Sequence, residues 1–531
     1  MTPPVSRRFL LVLLPVVVAV VVTAAAFRLR QEPTDTLVEG VVGAPTAFNP
    51  LVTTATRADL DVAALVYDSL VRFDPDGRLV AGLAEGWTVT DDGKTVSFRL
   101  RSGVRWHDGR PLTAADVVAT VKVLQNPDAP VPEYLAGFWR SVQVDAPDEQ
   151  TVKVTLKQPL STFLGYATFK VLPAHLLAQI PPKELGSRPV GDPPVGTGPF
   201  RVVEVRPQQV TLEASTGHFL GEPRLRRIVF QFFPDEAALK AALRNGRVEA
   251  GVVEDPSGLP IGEGRTLTEH RFFRTGAVML LLNHRSPVLA DRAVREAIVY
   301  SLDRTRLARS GERDLGLPAD GPIPPFVWFY REDFRRWESN PDRARQVLEE
   351  AGWKARPAGP REKDGVKLSF SLITNDDPVR VAIAEEVVRQ LRRVGIEARL
   401  SAAGFSGVVN DFVAQHKFEA ALVGLEFNPA FDFYSLWHSA AARPPGLNFG
   451  EYANRQVDDL LARIRTTWDP AQQAQLYAEL QAVLTQEVPA VPLYFPVVHY
   501  VTDSRLTGIR TGVVLDAADR FRDITRWEFS R

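Results

Sequence analysis

Between Trp87 and Leu124 the alternation of apolar and polar residues changes period, and the change marks out successive elements. Trp87 and Val89 alternate with Thr88 and Thr90; after Asp91-Asp92-Gly93-Lys94, Val96, Phe98 and Leu100 alternate with Thr95, Ser97 and Arg99. A period of two on both sides of turn chemistry predicts a β-hairpin with one buried face. A loop carrying Trp106, His107, Asp108 and Gly109 follows, and Thr113 can then cap a helix whose third residue is Asp116. Val117, Val118, Val121 and Leu124 line one face of that helix. A second hairpin is expected where Val142 and Val144 face Val152, Val154 and Leu156, turning through 145–149.

Elsewhere strands and helices take turns. Leu37 to Val42 reads as a strand and Asp59 to Leu70 as a helix; strand Ile228–Phe232, helix Pro234–Arg244 and strand Val248–Val253 form a βαβ unit, with Gly246 ending its helix. Further on come a buried strand at Val278–Leu282, a helix at Arg292–Leu302 and a helix at Pro341–Ala351 capped by Asn340. Strand Leu368–Ile373, helix Val379–Val394, strands Ile396–Leu400 and Phe418–Leu425, and a helix from Asp469-Pro470 through Leu484 complete the series. The class is α/β. Val195-Gly196-Thr197-Gly198-Pro199-Phe200 imitates a phosphate-binding glycine loop, but Arg201 takes the third glycine position and Pro199 blocks a following helix, so it reads as a strand entry.

Composition adds exclusions. With 63 basic and 64 acidic residues and a net charge of -1, nothing steers the chain towards nucleic acid. Cysteine is absent, which removes disulfides, thiolate metal sites, a cysteine nucleophile and a lipidated N-terminal Cys together. The eight histidines show no ligand spacing, and no His-Glu-x-x-His, Gly-x-Ser-x-Gly or Walker lysine loop occurs. No catalytic residue, metal site or cofactor is expected. Arg7 and Arg8 precede an uncharged run from Phe9 to Phe27, which enters a membrane either as a signal peptide cleaved after Ala24-Ala25-Ala26 or as an uncleaved anchor. The anchor is the favoured reading, with the folded body outside the cytoplasm and a linker through residue 36.

The order of hairpin, Trp106-His107-Asp108-Gly109 loop and capped helix resembles the signature of the bacterial extracellular solute-binding proteins of family 5, the dipeptide- and oligopeptide-binding proteins of ABC importers. Tyr67-Asp68-Ser69-Leu70, the Gly196-Thr197-Gly198-Pro199-Phe200 loop, Val278 to Asn283 and the block from Phe431 to Leu461 carry the resemblance through nearly all of 37–531. It implies a two-lobed periplasmic-binding-protein-like fold, type II and similar to cluster C, closing over its ligand. The expected first lobe is 37–61, 171–271 and 498–531, with 62–170 inserted as a sub-domain; the second lobe is 272–497. Gly424, Leu425 and Glu426 on one lobe and Ala44 to Thr46 on the other match the strands that clamp a peptide backbone. Asp432 is the acid implied to pair with a ligand amine; its other reading is a cap for a short helix, Phe433 to His438. Phe427, Trp437 and Trp328 are aromatic candidates for the cleft. The implied partners are a peptide and the permease subunits of the importer, with the chain itself a monomer. On the same frame relatives carry nickel chelates, haem, opines or oligosaccharides, and a membrane-anchored hydrolase and a ligand-reporting receptor are readings from other classes.

Overall fold

A computed structural model describes residues 35–530 apart from 263, 265, 311, 312, 335, 428–430 and 445. The apolar run Phe9 to Phe27 lies outside the described residues. Among those described, no helix is long and apolar enough to cross a membrane.

The long strand Ala490–Asp503 belongs to both lobes. Its first part pairs antiparallel with Gly276–Leu282, from Ala490 opposite Leu281 to Tyr494 opposite Val278. Its second part lies between Ala250–Val253 and Leu267–Arg274, with Val497 opposite Phe273 and Asp503 opposite Leu267. Thr275 alone separates Leu267–Arg274 from Gly276–Leu282. The chain thus passes between the lobes at two adjacent places, and the two passages are neighbours in one sheet.

In the first lobe, Thr36–Val42 runs parallel to both Arg227–Phe233 and Ala250–Val253, and helix Glu236–Arg244 crosses over it. Val38, Gly40, Val42 and Phe233 face that helix, against Leu239 and Leu243, while Leu37, Val41, Ile228 and Phe230 are buried on the opposite face in the main core. Gly40 is where the helix comes closest, since a Cβ there would stand 2.4 Å from Leu239 Cδ1. In the second lobe every residue of Gly276–Leu282 is buried, as a central strand requires. Ser369–Asn375 runs parallel to Glu397–Ala403 on one side and Ala420–Glu426 on the other, with helix Pro378–Arg392 crossing. Asn340 caps Pro341–Glu350 by accepting from Arg343 N at 2.9 Å, as the Asn-Pro pair predicts.

A separate antiparallel sheet holds the sub-domain hairpins in the order Ala84–Val89, Thr95–Leu100, Thr151–Thr155, Gln143–Asp148. Helix Ala114–Gln125 begins at Thr113, and Asp116 accepts from Thr113 N at 2.9 Å and from Ala174 N at 2.9 Å. His107 has a structural task. Its backbone N donates to Gly196 O at 2.8 Å, its Nδ1 accepts from Gly196 N at 3.3 Å, and its Nε2 meets Gly198 O at 3.0 Å. Burial lowers its pKa, so the ring that makes these contacts is neutral. Gly196 and Gly198 are required because a Cβ would fall 1.8 Å from Val66 O and 2.3 Å from Leu65 O. The glycine loop is thus a packing device, as its proline and arginine suggest.

Two expected elements differ. The helix spans Arg57–Val66 and stops at Tyr67, which is extended, because Asp68 is drawn aside to accept from Thr197 Oγ1 at 2.9 Å and to meet His218 Nε2 at 3.3 Å. The second hairpin turns at Glu149-Gln150; strand Gln143–Asp148 continues through Ala146-Pro147 by means of a register shift, which lets an exposed edge strand carry proline.

The chain's last segment returns to the first lobe. Helical turns at Ala517–Arg526 pack on Arg57–Val66 and carry Arg520 into the interior. Arg520 donates to Asp61 at 2.6 and 2.9 Å and to Glu39 at 2.7 Å, and Tyr500 OH donates to Glu39 at 2.8 Å. Burial raises the Glu39 carboxyl, while Arg520 opposes the rise. One guanidinium therefore joins the first strand, the first helix, the shared strand and the C-terminal turns. Arg520→Ala is expected to destabilise the fold by about 3–5 kcal/mol, since it leaves buried Glu39 without its cation and Asp61 with only the more distant Arg57; urea unfolding of the purified protein measures it.

Candidate functional site

The strand register locates a cleft. Gly40 stands opposite Gly251 in a parallel pair, and Val253 stands opposite His499, so Thr36–Val42 and Ala250–Val253 both end near the passage between lobes. On the other side Ser369–Asn375 runs parallel to Ala420–Glu426, and Glu426 stands opposite Gly276, the first residue beyond the passage. The carboxyl ends of the parallel strands in the two lobes converge on one cleft. Such ends are where open α/β sheets hold ligands.

On the first lobe the cleft is edged by the loop after Thr36–Val42. Ala44 and Thr46 are exposed, and the loop is held from behind by Asp59. That carboxylate accepts from Thr46 N, Phe48 N and Thr56 N at 2.8 Å each, from Ala47 N at 3.1 Å, and from the Thr46 and Thr56 hydroxyls at 2.8 Å. Burial alone would raise its pKa, but the bonds from Thr56, Phe48 and Thr46 prevail and hold it below the usual carboxylate range. The Thr56 hydroxyl oxygen also lies 3.0 Å from Ala44 O, the alternative acceptor for its one hydrogen.

On the second lobe Ala420–Glu426 has two different edges. Gly276–Leu282 pairs with its whole length, whereas Ser369–Asn375 pairs with it only as far as Leu422, opposite Thr374. From Val423 to Glu426 the strand therefore has no partner on that edge among the described residues. Gly424 and Glu426 are exposed on one face, and Arg274 holds Glu426 at 2.5 Å. Partial enclosure raises the Glu426 carboxyl; Arg274 opposes this and Asp516, from the C-terminal segment, adds to it. The Arg380 guanidinium lies over Gly424, its Nη2 3.5 Å from where a Cβ would stand. Phe405, two residues beyond Glu397–Ala403, is left 67% exposed.

The segment at Ser161 meets the end of helix Arg455–Thr466 as well. Ser161 N donates to Arg465 O at 2.6 Å, and Ser161 Oγ donates to Ile464 O at 2.9 Å. Beside this contact is a cavity of about 590 Å³ with Trp87 and Leu79 on one wall and Trp328, Phe431 and Tyr477 on the other.

The sequence candidates fall in different places. Gly424, Leu425, Glu426 and Ala44 edge the cleft. Trp328 lines the cavity. Phe427 and Trp437 are 6% and 5% exposed and pack in the aromatic core of the second lobe, Phe427 against Phe433 at 5.5 Å. Asp432 is 5% exposed; Arg465 donates to it at 2.7 and 2.9 Å, Thr162 Oγ1 lies at 3.4 Å, and Tyr434 N donates to it at 3.2 Å at the start of helix Tyr434–Trp437. Asn428, Pro429 and Ala430 lie outside the described residues. Sequence reasoning missed Asp59, Arg380 and Arg465. Asp59 could have been found, because it stands three residues after Thr56 and completes a capping box.

The Asp59 carboxylate makes its contribution in a stated pH range. Its folded pKa is depressed, so the stability is present above the unfolded value of about 4 and is lost as pH falls through the folded value. Asp59→Ala is expected to cost about 2–3 kcal/mol near neutrality, and the difference from wild type should shrink in acid; urea melts at both pH values test this.

Residues 78–444 match the family described as bacterial extracellular solute-binding proteins, family 5. The oligopeptide-binding protein AppA of Bacillus subtilis is 29% identical over 483 residues, covering 89% of this chain and 88% of AppA. The glutathione-binding protein GsiB of Salmonella typhi is 27% identical, covering 86% and 89%. The structure of B. subtilis AppA with a nonapeptide superposes at a TM-score of 0.65 with 27% identity, over 93% of this chain and 99% of that one. HbpA2 of Haemophilus parasuis superposes at 0.79 with 22% identity, over 93% and 100%, and shows the same fold. The signature, the two lobes and these likenesses agree: the chain belongs to the bacterial extracellular solute-binding proteins of family 5, which hold a solute outside the cytoplasm for an ABC importer.

Proposed function

We propose that the solute is a peptide, bound in extended form between the lobes and handed to the permease when they close. The observation that carries this is the unpaired edge of Val423 to Glu426 at the mouth of the cleft. A strand edge offers main-chain donors and acceptors at the peptide repeat, so an extended ligand can add as a further strand whatever its side chains. The relatives that bind an oligopeptide and glutathione support the same reading. Leu425 and the exposed main chain near Ala44 are the proposed clamps, with Gly424 and Glu426 on the ligand's flank. The closing lobes are proposed as 37–61, 171–271 and 498–531 against 272–497, with 62–170 inserted; helix Arg57–Val66 runs through the first boundary.

Asp432 is the weaker part of the proposal. Its carboxylate is already neutralised by Arg465, whose guanidinium also lies over the Tyr434 ring at 3.6 Å. A ligand amine would have to displace or share that cation. Glu426, exposed beside the free edge, is the more accessible acid.

Mass spectrometry of what is released when the purified full chain is denatured is the test. A mixture of short peptides is expected; a neutral sugar or a chelated metal as the released ligand would overturn the peptide reading. The membrane-anchor reading of Phe9 to Phe27 is also a proposal, carried by its length and the preceding Arg7 and Arg8. A membrane-fraction product that retains Arg7 and Arg8 is expected on N-terminal sequencing, and a mature start at Phe27 would refute it.

A further inference from the structure

Two separate hydrophobic cores face each other at Ser161. Phe163, fully buried, packs with Phe98 and Trp139 at ring separations of 6.0 and 5.9 Å, in the core that also holds Leu37 and Ile228. Ile464, Leu461 and Tyr477 belong to another core, shared with Met279 and Ala421 of the strands Gly276–Leu282 and Ala420–Glu426.

Hydrogen bonds join the two. The last four carbonyls of a helix have no partner inside it, and Ser161 takes two of them at the end of Arg455–Thr466. Its N donates to Arg465 O at 2.6 Å and its hydroxyl to Ile464 O at 2.9 Å. The hydroxyl oxygen accepts in turn from Gln473 Nε2, at 3.0 Å, on helix Pro470–Glu487. Beside it Thr162 Oγ1 lies 3.4 Å from Asp432, whose carboxylate holds the Arg465 guanidinium. Trp468, between the two helices, reaches the other way and packs on the first core, where a Cβ on Gly93 would stand 3.0 Å from its Nε1.

Ser161 is bound to one side of the molecule by its own chain. Thr168 O accepts from Ser69 Oγ at 2.8 Å, Val171 N donates to Asp68 O at 2.8 Å, and Leu172 N donates to Thr120 Oγ1 at 3.0 Å. The helix ends that it meets are anchored in the other core, and the chain passes between the lobes at Thr275 and along Ala490–Asp503. Bending at those passages parts Ser161 from residues 464–473 and leaves both cores whole. Water then reaches the Ile464 and Arg465 carbonyls, so no polar group is left buried and unpaired. Contacts that water can replace, each worth about 1 kcal/mol net, suit a joint that must open.

Resting on the closing lobes proposed above, we infer that Ser161 is the catch of the closed state: it caps the helix Arg455–Thr466 when the lobes meet and sets how tightly the solute is held without touching it. Asp432 serves the catch, since it fixes Arg465 at the helix end that Ser161 grips.

The chain has no cysteine, so Lys153→Cys and Ala462→Cys, exposed on either side of the contact, accept spin labels. Pulsed electron spin resonance on the full-length protein in detergent reads their separation. Protein freed of solute by dialysis is titrated with Ala-Ala-Ala as the probe. Wild type is expected to move from a long to a short separation, and Ser161→Ala, which loses both hydroxyl bonds, to need about 10-fold more peptide for the same shift. In Ser161→Leu a carbon takes the place of the hydroxyl against Ile464 O; the short separation should be lost, while the urea midpoint without peptide stays that of wild type. A short separation in wild type with and without peptide overturns the inference, as does a Ser161→Ala titration that superimposes on wild type. A lowered urea midpoint of Ser161→Leu without peptide also overturns it, because it marks a permanent contact. Failure of the peptide reading looks different: wild type then keeps a long separation that Ala-Ala-Ala does not change. The protein as purified, before dialysis, decides in that case. A short separation in wild type that lengthens in Ser161→Leu upholds the inference, and equal separations overturn it.

Discussion

The backbone ladder along Ala490–Asp503 is the constraint on which the two-lobed arrangement depends. One strand serves two sheets, with its start bonded to Gly276–Leu282 and its end to Ala250–Val253 and Leu267–Arg274. Hydrogen bonds on both edges fix each half against its own lobe. Between Tyr494 and Val497 one edge changes partner from Gly276–Leu282 to Ala250–Val253, while Gly316–Pro318 pairs with the other edge from Tyr494 to Pro496. A second passage through Thr275 lies alongside, and two adjacent passages permit closing about one line while resisting free rotation. The cleft is a consequence of this arrangement, since parallel strands in each lobe end beside the same line.

The first lobe is secured at a distance from that line. Arg520 with Glu39, Asp61 and Tyr500 brings together residues separated by most of the chain, and each group is nearly inaccessible to water. A buried cation between two acids gains little over apolar packing of the same volume, but it is costly to mispair. Its effect is to specify where the C-terminal turns dock. The Asp59 hub acts over a shorter range, converting the loop at Ala44 to Thr46 from a mobile connection into a shaped edge. Both devices hold the first lobe's side of the cleft in place.

The second lobe's side of the cleft is left open. Ser369–Asn375 leaves Ala420–Glu426 after Leu422 to enter helix Pro378–Arg392, and the departure leaves at one point a helix start beside a strand edge that is unpaired among the described residues. An exposed edge in a soluble protein invites pairing, and placing it inside a cleft restricts that pairing to a ligand. On the proposed reading, peptide capture follows from the main chain, and selectivity is left to the side chains around it.

Much of this was legible in the chain itself. Hairpins, the capped helix after Thr113 and the strand–helix–strand runs follow from periods of two and of 3.6, because burial of one face is a local property of each element. The same local logic identified His107 and the glycine loop as structural. Where the period was right but a long-range bond intervened, the elements differ: Tyr67 to Leu70 leave the helix because Asp68 binds Thr197 and His218. Site residues divide in the same way. Gly424 to Glu426 and Ala44 came from the family resemblance, which matches them to strands that clamp a ligand's main chain. That Phe427 and Trp437 are core and that Asp432 is paired with Arg465 depend on which side chains meet across tens of residues. Sequence determined the elements and the family; only the tertiary structure decided which charges are neutralised, because a salt bridge depends on distance in space and leaves no period in the chain.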